Sequence, residues 1–223
     1  MLRHLPNALT LLRLILAPVV GFAVWQSYSI PLDAALSAPR SFAAQLVGAQ
    51  GWSLAAAVLF ILAALTDLFD GMAARALKAE SKFGRLIDPI ADKALVGLPL
   101  IAISIAALRG GWMLWPVITA CAVIIVGRDI AITTLRMTAK DGEGARVSQL
   151  AKWKTAVELV AVAMPILISA SPSIVQMLGL GDAFAVSNEV TYAWIVLLGL
   201  AAALSLVTAL QYLMAKPATP ASP

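Results

Sequence analysis

The sequence predicts an all-α, polytopic membrane protein: a bundle of six transmembrane helices with a short N-terminal interfacial segment. Three observations predict it. Of 223 residues, 61% are hydrophobic and 13% charged, and mean hydropathy is +0.90, whereas a soluble domain is about half apolar and a quarter charged. The apolar residues gather into six runs of the length a bilayer crossing needs, separated by polar or Gly- and Pro-containing turns. The basic residues are also asymmetric. With both termini inside, only Arg40 and Arg109 of the 16 Lys and Arg fall on the outer side, leaving 14 inside, as the positive-inside rule requires. That distribution accounts for the net charge of +4 without a nucleic-acid partner. The size suits one domain over residues 1–215, followed by a Pro- and Ala-rich tail at 216–223 expected to be disordered.

The runs fall at about 9–28, 52–74, 85–108, 112–135, 155–171 and 190–214. The first lacks a small-residue cleavage site before Pro18, so it reads as a retained span. Residues 29–51 hold Pro31, Pro39 and Gly51 and read as an outer loop, as do residues 171–187; residues 140–145 read as a polar turn. Pro99 and Pro165 lie inside apolar helices and are expected to kink them. Trp25, Trp52, Trp112, Trp115 and Trp194 fall near the outer ends and read as an interfacial belt. Cys121, the one cysteine, sits in an apolar run, which excludes a disulfide framework.

The second and third runs carry the chemistry. Their uncharged parts, 52–66 and 94–108, are 15 residues each, short of the roughly 20 a helix needs to cross a bilayer. Both helices must therefore continue through aspartates. At about 100° per residue, Asp67, Asp70, Gly71, Ala74 and Arg75 share one helical face, and Gly84, Asp88 and Asp92 share another. The polar stretch between Arg75 and Gly84 turns the chain, so the two faces can meet. Four carboxylates at close range raise one another's pKa, and hard divalent cations relieve that repulsion; all-oxygen ligation favours magnesium or manganese. An ion-pair network with Arg75, Arg85 and Lys93 is the plainer alternative. Charges also enter the fourth run at Arg128 and Asp129 and the fifth at Lys152, Lys154 and Glu158. Ionisable groups in a span mark function by default, and these converge on the inner side.

The spacing Asp-x2-Asp-Gly-x2-Ala-Arg-x8-Gly-x3-Asp-x3-Asp resembles the signature of the CDP-alcohol phosphatidyltransferase family, matching at all eight fixed positions of a 26-residue window. The resemblance implies a reaction in which a hydroxyl attacks the β-phosphorus of a CDP-linked lipid and CMP leaves. It implies that Asp67, Asp70 and Asp88 ligate metal, that two Mg2+ or Mn2+ ions are held, and that Asp92 acts as base while touching the second ion. It further implies a CDP-lipid pocket lined by Asp67, Asp70, Gly71, Ala74, Arg75 and Gly84.

Two more regions resemble the phosphatidylglycerophosphate synthases of that family. Residues 6–13 match Pro-Asn-x-Leu-Thr-x-x-Arg, and Asn7, Thr10 and Arg13 share a face that could reach the nucleotide; a helix cap at Asn7 and a lipid-facing Arg13 are the alternative. Residues 128–155 carry matching Arg128, Leu135, Arg136, Val147, Lys152, Lys154 and Thr155, with Asp129 where the pattern has Glu and Ala151 where it has Gly. Arg128, Arg136, Lys152 and Lys154 form a cationic set suited to an acceptor with its own phosphate, sn-glycerol 3-phosphate. The resemblance thus implies CDP-diacylglycerol as donor, CMP as product, membrane lipids as surroundings, a homodimer, and a bacterial inner-membrane site with the active face cytoplasmic. Open alternatives are a cardiolipin, phosphatidylserine or phosphatidylinositol-phosphate synthase. A divalent-cation carrier predicts acids at mid-membrane, and a polytopic prenyltransferase needs a second acidic motif beyond Asp92.

Overall fold

A computed structural model describes residues 5–35, 49–77, 82–138, 149–179 and 187–214. Among them are six helices and no strand: α1 (Leu5–Ala35), α2 (Gln50–Leu77), α3 (Lys82–Arg109), α4 (Trp115–Thr138), α5 (Gln149–Met177) and α6 (Asn188–Met214). Each contains a window long and apolar enough to cross a membrane. In lipid a helix satisfies every backbone polar group within its own segment, which is why such runs fold this way. The chain is a multi-pass membrane protein. The spans do run through charged positions: the apolar window of α2 ends at Asp67 and that of α3 begins at Ile87, ahead of Asp88.

The helices close into a ring in which neighbours follow the order α1, α3, α4, α6, α5, α2 and back to α1. Cross-contacts give the directions. Thr10 meets Asp88 and Gly21 meets Leu98, so α1 and α3 are parallel. Phe22 meets Trp52 edge-on with ring centroids 5.7 Å apart, and the Ala49 amide donates to Ser27 O at 3.0 Å, so α2 is antiparallel to α1. Lys93 meets Asp129, and Ser104 donates to Thr119 at 3.1 Å, which sets α4 antiparallel to α3. One end of the ring therefore gathers Arg13, Asp67, Asp88, Asp92, Asp129 and Lys154. The other gathers Trp25 and Arg109, whose guanidinium stands 5.4 Å over the indole.

Small residues let the helices approach. Ala17, Ala56, Ala63, Ala102, Ala106 and Ala201 are all buried. α1 and α3 come close at Gly21, where an added Cβ would stand 2.9 Å from the Cβ of Leu98. Gly21→Ala must push α1 from α3, and overpacking of this kind costs about 1–3 kcal/mol. The expected outcome is a lowered thermal midpoint in detergent together with reduced turnover, since Thr10 and Arg13 use the same seam; an unshifted midpoint would show that the seam yields freely.

The two prolines inside α5 are answered by side chains. Pro165 lacks the N–H that would bond Ala161 O, and the Trp194 indole N–H donates there instead at 2.9 Å. Pro172 likewise leaves Ile168 O to the Ser171 hydroxyl at 2.8 Å. The helix continues through both, so α5 runs to Met177 and residues 171–177 are helical rather than loop. Trp194 is only 2% exposed for the same reason; it is a core residue, not a belt anchor. Trp112 is buried too, edge-on to Tyr28 at 5.7 Å. It is turned inward by the end of α3, where Gly111 has φ 57°, its amide reaches Leu108 O, and the Trp112 amide reaches Ala107 O. This Schellman pattern needs a left-handed residue, so α4 starts at Trp115 rather than Trp112. At the first loop α1 runs on to Ala35 and α2 starts at Gln50. Residues 36–48, 78–81, 139–148, 180–186 and the tail lie outside the described residues.

Candidate active site

The inner ends of α1, α2 and α3 supply the first group of polar side chains. Arg13 is 1% exposed, unusual for a side chain that is costly to bury unless paired. Its Nη1 lies 2.6 Å from Asp67 Oδ1 and also bonds Asp92 Oδ1. One turn earlier, buried Thr10 donates through Oγ1 to Asp88 Oδ1 at 2.6 Å. A helix repeat of 3.6 residues puts Thr10 and Arg13 on one face of α1, and Asp88 and Asp92 on the facing side of α3. Asp67 of α2 and Asp92 of α3 thus meet at Arg13 of α1. The Asp67 and Asp92 side chains remain 56% and 39% exposed, so the group opens outward.

This arrangement bears on metal. Two carboxylate oxygens from different helices converge on one positively charged nitrogen, a donor set of oxygens that fits a hard cation of the magnesium class. Among the described residues no group of three acids, histidines or cysteines is assembled around a common point. Asp70 belongs to α2, but its side chain lies outside the described residues, as do those of Asn7, Ala74, Arg75 and Arg136 and the surroundings of Gly71 and Gly84.

A second charged group adjoins the first through Lys93, the residue after Asp92. Lys93 Nζ is 2.9 Å from Asp129 Oδ2, while Lys154 Nζ is 2.5 Å from Asp129 Oδ1. Lys154 also pairs with Glu158 Oε2 at 2.8 Å, one turn along α5. Arg128 donates through Nη1 to Asp129 Oδ1 and through Nη2 to Thr208 Oγ1 on α6, each at 2.9 Å. Arg128 and Lys154 are thus brought together by Asp129, whereas Lys152 is exposed on α5. The acids that organise this group, Asp129 and Glu158, were visible in the sequence only as charges inside spans. The Lys154 and Glu158 spacing of four was the available signal, because it places both on one helical face.

A family model described as CDP-alcohol phosphatidyltransferase matches residues 3–207. The chain is 39% identical over 161 residues to a CDP-diacylglycerol–glycerol-3-phosphate 3-phosphatidyltransferase of Cereibacter sphaeroides, the match covering 72% of this chain and 62% of that protein. Proteins of the same name match from Bacillus subtilis, 34% identical over 71% of this chain and 74% of that one, and from Pseudomonas fluorescens, 30% identical over 95% and 89%.

Proposed function

The chain belongs to the CDP-alcohol phosphatidyltransferase family, and from that premise we propose that it transfers the phosphatidyl group of CDP-diacylglycerol to sn-glycerol 3-phosphate, giving phosphatidylglycerophosphate and CMP. The names of its relatives support the donor and the acceptor. The observation that carries the reading is the meeting of Asp67 and Asp92 on Arg13, with Asp88 held by Thr10 beside them.

In the proposed reaction the acceptor hydroxyl oxygen bonds to the β-phosphorus as the bond from that phosphorus to the CMP oxygen breaks. Asp92 accepts the hydroxyl proton, a task open to a carboxylate that stands at the exposed end of the group within reach of a bound hydroxyl. Asp67, Asp70, Asp88 and Asp92 would hold two magnesium or manganese ions, which when bound supply charge neutralisation at the diphosphate. Arg13 keeps Asp67 and Asp92 at a common point, and Thr10 orients Asp88 by donating to one of its oxygens. Asn7, Gly71, Ala74, Arg75 and Gly84 line the CDP-lipid pocket. Arg128, Arg136, Lys152 and Lys154 attract the acceptor phosphate, the bidentate guanidinium being the stronger anion partner. The catalytic domain spans residues 1–215 and works as a homodimer in the bacterial inner membrane, with the aspartate end and both termini cytoplasmic, as the basic residues favour.

An acceptor panel tests the reading. Purified protein with labelled CDP-diacylglycerol should release CMP with sn-glycerol 3-phosphate and not with phosphatidylglycerol, serine or inositol phosphate. Release with one of those alcohols instead would reassign the acceptor within the family, and release with none would remove the activity.

A further inference from the structure

Asp129 does more than balance charge. Its side chain is 5% exposed, and its two oxygens are shared out between helices: Oδ2 to Lys93 of α3, Oδ1 to Lys154 of α5 and to Arg128 of its own α4. Through Arg128 the same network reaches Thr208 of α6. Among the described residues this group has three cations, Lys93, Arg128 and Lys154, against two acids, Asp129 and Glu158, which leaves one surplus positive charge. Removing one partner of a buried network leaves the others uncompensated. Lys93 and Asp129 also line a groove of about 350 Å3 between α3 and α4, so the cluster borders open space.

We propose that Asp129 is a positioning residue of the reaction: by gripping Lys93 with one oxygen and Lys154 with the other, it fixes the acceptor-side cations relative to the stretch of α3 that carries Asp92. The inference rests on the glycerol 3-phosphate reading above. Lys93 directly follows Asp92, so any shift of its backbone moves the proposed base as well. Lys154 starts from a different helix and has four methylenes of freedom, which the Asp129 and Glu158 oxygens remove. An anionic acceptor then meets cations already in place, and the ordering has been completed in folding rather than in binding. Aspartate suits this role because its short side chain ties the oxygens closely to the α4 backbone; glutamate would keep the charge but move them outward by one methylene.

The test compares full-length wild type, Asp129→Asn and Asp129→Glu in detergent micelles, following CMP release with each substrate varied in turn and reading thermal midpoints alongside. Asp129→Asn should raise KM for glycerol 3-phosphate about tenfold or more, the scale that loss of pre-set geometry produces, while KM for CDP-diacylglycerol stays within about twofold. Asp129→Glu should restore most of the thermal midpoint but only part of the acceptor KM. If Asp129→Asn does not fold, the ratio of the two KM values in Asp129→Glu decides: a selective rise for the acceptor supports positioning. Equal changes in both KM values, or none, overturn it and leave Asp129 a structural tie. Wild-type protein that releases CMP with another alcohol but not with glycerol 3-phosphate overturns the acceptor reading, and this inference with it.

Discussion

Asp92→Asn lowers turnover by about 10² to 10⁴-fold, the range general-base catalysis contributes, while equilibrium binding of CDP-diacylglycerol changes little. The asymmetry follows from the geometry. Asparagine keeps a carbonyl oxygen where Asp92 Oδ1 accepts from Arg13, and Arg13 keeps Asp67 at 2.6 Å. The pocket wall therefore survives the substitution, but an amide cannot take the hydroxyl proton. Asp88 is anchored to the same helix as Asp92. Its Oδ1 already accepts from Thr10 at 2.6 Å, which ties it to α1. Single-turnover CMP release, measured beside donor binding, separates chemistry from affinity. Turnover at the wild-type level in Asp92→Asn would strip Asp92 of the role and move the search to Asp88.

The parts of this molecule that sequence made legible are those encoded by local pattern. Six apolar runs gave six helices, and spacings of three and four put Thr10 with Arg13 and Asp88 with Asp92 on single helical faces, where Asp67 and Asp92 reach one nitrogen of Arg13. Element ends were less legible wherever a polar or cyclic residue was absorbed by a distant partner. Residues 171–187 read as a loop, yet α5 runs on to Met177, Ser171 taking the carbonyl that the Pro172 ring releases as Trp194 takes the one that Pro165 releases. Trp194 itself looked like a belt residue because position along a span cannot tell which face turns inward. The ionic network was least visible. Its pairs join residues 93 and 129, 129 and 154, and 128 and 208, and no periodicity within one helix announces a partner on another. Lys154 with Glu158, and Arg128 with Asp129, were the exceptions, since each pair lies on one helix. The side chains of Asp70 and Arg75, which the spacing places on the same face as Asp67, lie outside the described residues, as do the surroundings of Gly84.

Removal of divalent cations should reduce turnover to background and lower the thermal midpoint, with magnesium or manganese restoring both. Asp67 and Asp92 come from separate helices and share one nitrogen of Arg13, so a single guanidinium stands between two acids. Like charges this near one another oppose folding unless compensated. A ligand that binds only the folded state stabilises it by about 2.7 kcal/mol at a hundredfold excess over its Kd, which for a chain of this size moves the midpoint by several degrees. The measurement is made without CDP-lipid, because a diphosphate carries its own magnesium and would mask whether the protein binds any. Asp67→Asn should abolish most of the cation-dependent rise in midpoint while leaving the fold intact, since Arg13 still holds Asp92. Equal midpoints for wild type in chelator and in magnesium would mean that the aspartates hold no ion ahead of substrate. Protein cations such as Arg13 would then balance the acids, and any metal requirement of turnover would belong to the CDP-lipid.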